Sequence, residues 1–272
     1  MALLSPLHMK LLRDLRRLWA QALAIALVMA SGVATLILGV GAYGSLSSTR
    51  AAYYESNRFG DVFASVTRAP RVLGSEIARI DGVLAVELRI ERLAVLDMPG
   101  MAEPGTMMLL SLPDAGRGAL NQLYLRTGHL PESHTTSEAV VSEGFAKAHD
   151  LRPGSRFSVL MNGQKRSVTV TGIALSPEYI YSLGPGDMMP DDRRFGVAWM
   201  PNDSLAAAYD LEGAFSSVVL KLMPGTSEAR VIEALDAMLA RYGGTGAAGR
   251  ADQLSHAFLD AELNQLKAMS RV

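Results

Sequence analysis

A chain of 272 residues is long enough for one large domain or two small ones with a real core. Its 26 Lys and Arg against 27 Asp and Glu leave a net charge of −1, which argues against a nucleic-acid binder, since such proteins carry a basic excess. Cysteine is absent, which excludes disulfide frameworks, thiolate zinc sites and cysteine nucleophiles without choosing a compartment.

The hydrophobic fraction is 49%, and the excess gathers near the N-terminus. From Leu18 to Thr49 there is no charged side chain. Leu18 to Gly41 would run ~35 Å as a helix, enough to cross a hydrocarbon core of ~30 Å. A signal peptide has a shorter apolar region of ~7–15 residues before its cleavage site. The spacing therefore predicts a retained anchor. Lys10, Arg13, Arg16 and Arg17 precede it, whereas Arg50 and Arg58 follow among Glu55 and Asp61. The positive-inside bias makes residues 1–17 a cytoplasmic leader and 18–43 the transmembrane helix, with the rest outside. Trp19 and Tyr43 bracket the span as interfacial rings. Ala22, Ala26, Ala30 and Ala34 recur at i, i+4, with Ser31 and Thr35 beside them, and form one small-residue stripe. In lipid such a stripe lets a second helix approach closely. The competing account is that alanine is simply common in such segments.

Beyond the span, "GDVFASV" (60–66) alternates as a strand. "TRAPRVLGSEIARIDGV" then reads as turn, helix, turn, with Val72, Ile77 and Ile80 sharing an apolar side. "VLAVELRIERLAVLDM" continues as one strand, alternating at Val86, Leu88 and Ile90. Next comes a β-rich insertion. A short strand leads to a helix starting near Ser142 and spent by His149-Asp150, and two strands join at Asn162-Gly163, a strong hairpin signal. "SPEYIYSLGPGDMMPDDRRFG" is a turn-rich loop, and "VAWM" returns to strand. A second β-α unit follows: a strand over Phe215–Met223, a turn at Pro224-Gly225, and a helix capped by Thr226 that runs through Tyr242 to the stop at Gly243-Gly244. Two β-α units around a long insertion predict an α+β, ferredoxin-like split βαβ lobe (about 60–111 plus 214–245) holding an inserted β-rich lobe (about 112–213) within a core of 44–249. A last helix spans 250–272, with Asp252 able to cap it and Leu259, Leu263 and Leu266 in helical spacing. It meets no Gly or Pro before Val272, so it reads as cut rather than finished.

Chemistry is sparse. "GTGAAG" (Gly244–Gly249) matches the dinucleotide pattern letter for letter, but that mechanism needs a preceding strand and a helix N-terminus for the pyrophosphate. Here a helix precedes it, so a connector is the expected reading. His129 and His134 have zinc-like spacing near Glu132 and Glu138, but Pro131 interrupts them and no further ligand completes four. Asp187, Asp191 and Asp192 could meet a cation, although Arg193 and Arg194 beside them predict a self-compensated turn. Asn202-Asp203-Ser204 is a glycosylation sequon, meaningful only in a eukaryotic secretory pathway. There is no P-loop, H-E-x-x-H or G-x-S-x-G. No catalytic residue, cofactor site or metal site is expected.

The whole arrangement resembles the first part of an FtsX/MacB-type ABC transporter permease. The resemblance is carried by "SPLHMKLLRDLRRLWAQALAIALVMASGV", "YGSLSSTRAAYYESNRFGDVFASVTRAP", "EAVVSEGFAKAHDLRPGSRFSVLMNG", "SPEYIY…PDDRRFGVAWM" and "ARYGGTGAAGRADQLSHAFLDAEL". It implies a MacB-like periplasmic core, an outgoing stalk helix, a bacterial inner-membrane location with a cytoplasmic N-terminus, and no enzymatic step in this subunit. It also implies partners: a cytoplasmic ABC ATPase subunit, a second permease copy, and a periplasmic adaptor or exported substrate. ATP-driven movement would then pass mechanically to the exported domain. A different class stays open, a single-span anchored binding or adaptor module, which requires Val272 to be the natural end. Under either reading the loop with Tyr179, Tyr181, Asp191, Asp192, Arg193 and Arg194 is the candidate partner contact, weighed against an ordinary exposed loop.

Overall fold

A computed structural model describes residues 10, 13, 17–98, 100–113 and 118–269. Most of the basic leader, including Arg16, lies outside the described residues. The chain divides into two compact units, one holding the residues up to Arg50 with those from Ala261 onward, the other Ala51–Asp260.

In the first unit the dominant element is α1 (Trp19–Ser56), a helix long and apolar enough to cross a membrane. Leu23, Ile25, Val28, Ile37 and Leu38 are all exposed, so no one side is set apart as a core face. Its hydroxyls are satisfied within the helix, Ser31 Oγ donating to Val28 O and Thr35 Oγ1 to Ser31 O, each at 2.8 Å. Such self-satisfaction is what a hydrocarbon environment demands of a polar group. The Lys267 ammonium lies 5.8 Å from the Tyr43 ring centroid.

The second unit is built from strands β1 (Val62–Pro70), β2 (Val83–Arg89), β3 (Glu91–Asp97), β4 (Gly105–Leu112), β5 (Tyr124–Gly128), β6 (Glu138–Ser142), β7 (Arg156–Met161), β8 (Gln164–Leu175), β9 (Phe195–Pro201), β10 (Ala214–Leu222) and β11 (Ala247–Gly249). The helices are α2 (Leu73–Ile77), α3 (Glu143–Ala148), α4 (Asn202–Tyr209), α5 (Glu228–Leu239) and α6 (Leu254–Met269), the last running on into the first unit.

Four strands form an antiparallel sheet in the order β11-β1-β10-β2. The strand of the second β-α unit, β10, is thus inserted between the two strands of the first, which is the split βαβ arrangement expected from the sequence. Helices α2 and α5 cover one face, where Val62, Ala64, Leu73, Ile77, Val218, Leu220, Val231 and Leu235 form a core.

The other seven strands form a sheet in the order β5-β8-β6-β9-β4-β3-β7, and the extra β7–β8 pairing closes six of them into a barrel. The β7–β8 hairpin turns at Asn162 (φ 47°) and Gly163 (φ 78°), so the residue pair flagged in the sequence does supply the positive φ angles of a tight primed turn. Met107, Leu109, Val141, Val159, Val170 and Met200 fill the barrel. Outward-facing Leu110, Leu112, Val140, Val197 and Trp199 are buried as well, against a second layer that includes Leu123, Leu130 and Tyr179. Burial on both faces explains why β4, β6 and β9 read as continuous apolar runs rather than alternating ones.

Three expectations change. The run "VLAVELRIERLAVLDM" is not one strand but two, because the chain leaves the first sheet after Arg89 and enters the barrel at Glu91. Ile90 is the crossing point: it is fully buried, its N–H donates to Ser111 Oγ at 2.8 Å and its carbonyl accepts Ser111 N–H at 2.8 Å. The β-rich lobe therefore starts at residue 91, not 112. Glu91 also exchanges hydrogen bonds with the Ser216 hydroxyl, 2.9 Å to its N–H and 3.0 Å to its carbonyl. Second, Thr226 does not cap the later helix. Its hydroxyl donates to Gly82 O at 3.4 Å, and α5 starts at Glu228 without a side-chain cap. Third, the end of "GTGAAG" is not a loose connector: Ala247–Gly249 is β11, an edge strand paired antiparallel with β1, and Gly249 lies against the Glu228 carboxylate, where a Cβ would clash.

Candidate functional site

Alternation along β2 sends Val86 and Leu88 toward the helices and leaves Glu87 and Arg89 on the opposite face. Arg89 is only 6% exposed. Its guanidinium grips the Glu178 carboxylate with both arms, Nη1 to Oε2 at 2.6 Å and Nη2 to Oε1 at 2.5 Å. This fork is the strongest geometry available to such a pair. Nε also donates to Ser217 Oγ at 3.2 Å, and Nη2 reaches Glu91 Oε2 at 3.2 Å. Burial pulls the guanidinium pKa down, but Glu178 and then Glu91 more than reverse it, so the charge is held firmly.

Glu178, in the loop after β8, gathers further partners. Asn121 Nδ2 donates to its Oε2 at 2.8 Å, and Gln253 Nε2 donates to its carbonyl at 2.8 Å. Asn121 Oδ1 in turn accepts Gly60 N–H at 2.8 Å. Glu178 thus ties together β2 and the loop before β5 through its carboxylate, and the segment entering α6 through its backbone carbonyl.

A second polar joint stands where α1 ends and α6 begins. Asp61 pairs with Arg250 and, at 3.3 Å, with Lys221, while its other oxygen accepts Leu222 N–H at 2.9 Å. Arg250 donates to the carbonyls of Gly60 (2.9 Å) and Phe59 (3.1 Å) and lies over the Phe59 ring at 5.1 Å. Tyr54 Oη and His256 Nδ1 share a hydrogen bond of 3.1 Å, with the Tyr54 and Phe59 rings 4.5 Å apart. The end of α1 and the start of α6 are joined here by ionic, cation–π and ring contacts together.

The residues proposed from sequence as one contact surface separate into two groups. Tyr179 turns inward, its ring edge-on to Trp199 at 6.2 Å, and burial, then the charges of Glu178 and Glu91, raise its pKa well above the ordinary value. Tyr181 N–H donates to Ser255 Oγ at 2.9 Å, and its ring lies 6.3 Å from Phe258. Asp191 Oδ1 accepts the N–H groups of Arg193 (3.0 Å) and Arg194 (3.2 Å), which starts β9. Burial, then Asp191, raises the Asp192 pKa; Arg194 pairs with Glu103 at 2.9 Å, and His149 Nε2 meets Arg193 O at 2.9 Å. The tyrosines are half-buried, Tyr179 against Trp199 and Tyr181 against α6; Asp191 and Asp192 are half-buried too, and Arg193 and Arg194 are exposed. Along α1, Ala26, Ala30 and Ala34 are exposed and Ala22 half-buried. His129 and His134 do not converge, since His134 pairs with Asp203 at 2.8 Å and His129 Nδ1 meets Leu130 O at 2.8 Å.

Sequence reasoning did not single out Arg89, Glu178, Asn121, Gln253, Asp61 or Arg250 as a site. One signal was present: Glu87 and Arg89 put two charges on one face of a strand whose other face is apolar.

The family model described as the MacB-like periplasmic core domain matches residues 22–238. No curated protein matches the chain. Among solved structures, the chain is similar to the periplasmic region of MacB from Actinobacillus actinomycetemcomitans, at 10% identity over 78% of this chain and 95% of that one, with a TM-score of 0.42. It is similar also to the extracellular domain of the noncanonic ABC-type transporter YknZ from Gram-positive bacteria, at 11% identity over 70% of this chain and 98% of that one, with a TM-score of 0.43.

Proposed function

The chain belongs to the MacB-like periplasmic core domain family, and from that premise we propose that it serves as the permease subunit of an FtsX/MacB-type ABC transporter. It sits in the bacterial inner membrane with its basic leader in the cytoplasm and its core domain in the periplasm. A cytoplasmic ABC ATPase supplies the energy, and this subunit performs no enzymatic step. It assembles with a second permease copy, and other membrane spans of the permease pack against the Ala22, Ala26, Ala30 and Ala34 face in the lipid. The acidic–basic turn at Asp191, Asp192, Arg193 and Arg194 is the part of its loop that meets an adaptor or exported substrate.

The observation that carries the mechanical part of this reading is the joint around Asp61, Arg250, Tyr54 and His256. Both connections between the core domain and the rest of the chain pass through it. Movement of either helix acts on Phe59–Asp61, hence on β1 and β10, to which Asp61 is hydrogen-bonded. The Arg89–Glu178 fork carries that movement from β2 to the barrel lobe. Movement is passed on through packed, two-sided contacts rather than through a wide pore.

The test is purification of the full chain from native membranes in mild detergent. An ATPase bearing a P-loop is expected to accompany it, and a cysteine pair at 54 and 256, placed in a chain with no native cysteine, is expected to lower ATP turnover when oxidised and to restore it on reduction. Recovery of the chain with no ATPase would favour the anchored binding or adaptor module instead. Unchanged turnover with the joint crosslinked would overturn the coupling.

A further inference from the structure

A cavity of about 480 Å³ opens beside the Arg89–Glu178 fork, within the range of small-molecule sites. One wall is the outer surface of the barrel, with Leu110, Leu112, Leu125 and Trp199; the other is polar, with Tyr53, Glu87 and the fork. Two features of the polar wall are unfinished. The Tyr53 hydroxyl oxygen is buried, yet it has no hydrogen-bond partner among the described residues. An orphaned buried hydroxyl is costly, and a ligand in the cavity would relieve that cost. Glu87 accepts Leu120 N–H at 2.7 Å through Oε2 and has no ion pair among the described residues. Gly118 allows the loop to come this close, since a Cβ there would stand 2.6 Å from Glu87 Oε1. Glu178 is neutralised by Arg89, so the lining carries one carboxylate in excess. Burial raises the Glu87 pKa, outweighing the lowering by the Leu120 N–H, by Arg89 on the same strand face and by the Ala119 N–H.

We propose that this cavity binds a small cationic amphiphile, whose apolar chain lies along Leu110, Leu112, Leu125 and Trp199 and whose ammonium group meets Glu87, with the Tyr53 hydroxyl as a second polar partner. The assignment rests on charge complementarity together with the apolar wall and the orphaned hydroxyl. It goes beyond the permease reading and does not depend on it, because binding is measured without any ATPase.

The chain has two tryptophans, Trp19 and Trp199. Trp19→Phe therefore leaves Trp199, in the cavity wall, as the sole reporter. Full-length Trp19→Phe protein in lipid nanodiscs is titrated with octylammonium, octanol and octanoate, and titrations of empty nanodiscs are subtracted. Octylammonium is expected to give a saturable change in Trp199 emission, with octanoate at least about tenfold weaker and octanol between them. Glu87→Gln is expected to weaken octylammonium about tenfold while leaving octanol unchanged. Tyr53→Phe is expected to weaken both by a smaller factor, and Leu112→Phe, which fills the cavity, to abolish all three. Emission that never saturates, octanoate binding as well as octylammonium, or a folded Glu87→Gln protein with undiminished octylammonium affinity would each overturn the proposal. If a variant fails to fold, the ranking of the three probes on the unaltered cavity decides.

Discussion

The two polar joints of the core domain are built from the same chemistry and differ in their access to water. At Arg89–Glu178 both side chains are 7% exposed, both guanidinium arms are engaged, and five segments of chain converge. At Asp61–Arg250 the exposures are 20% and 28%, and a second cation, Lys221, shares the carboxylate. A dry, forked pair has essentially one good geometry, because any other leaves a charge unpaired in a poor solvent. A half-wet triad can exchange partners at small cost, since water screens the intermediates. The first joint fixes how the two lobes meet. The second is suited to moving.

That contrast can be broken by substitution. The largest effect is expected from Arg89→Ala, which leaves the buried Glu178 without its cation and costs ~3–5 kcal/mol in denaturant unfolding, with Glu178→Ala costing less because Arg89 keeps Glu91. The double change Arg89→Met with Glu178→Leu should recover most of that loss, and a double variant as unstable as the singles would show that the fork does more than neutralise itself. Asp61→Asn should cost less, about 1–2 kcal/mol, because Lys221 and Arg250 keep access to solvent. Its cost should shrink as salt is raised, while that of Arg89→Ala stays constant; equal salt slopes would erase the distinction. Tyr54→Phe removes one hydrogen bond and keeps the ring stack, and about 0.5–1.5 kcal/mol is expected from thermal unfolding.

The smallest effect concerns pH. Burial raises the Glu87 pKa, so just above the ordinary carboxylate range the folded chain holds a proton that the unfolded chain has released. The contribution of this group to stability is full below the unfolded pKa and declines as pH rises toward the folded one. Glu87→Gln should remove that decline, which a comparison of unfolding curves on either side of the carboxylate range can measure.

The parts of the fold readable from sequence are those whose signal is local. A run without charge from Leu18 to Thr49 marks α1, Asn162-Gly163 marks a turn, and Gly243-Gly244 marks the end of a helix. The crossing at Ile90 escaped because period-two alternation says which side a residue faces and not which sheet it faces from. Val86, Leu88 and Ile90 keep one rhythm, yet Ile90 belongs to the barrel core and the other two to the helix-covered sheet. The packing of the tyrosines escaped for a similar reason. A turn-rich, polar segment predicts exposure, but Tyr179 and Tyr181 are covered by Trp199 and Phe258, which are 20 and 77 residues further along the chain. Nothing local to the loop records those neighbours. The Arg89–Glu178 fork lies at the same disadvantage, its halves 89 residues apart.

The register of β2 against β10 sets Arg89 opposite Ser217, and Ser216 is hydrogen-bonded to Glu91. The entire barrel lobe therefore occupies the place that a two-residue turn fills in an ordinary β-hairpin. Its way in and its way out are neighbours, so the host sheet bears almost no loop-closure cost for carrying it. The lobe is a cassette in the genetic sense as well as the spatial one: a recombination event could exchange everything between residues 90 and 213 for another module, or for a short connection, and leave the order of the four host strands untouched.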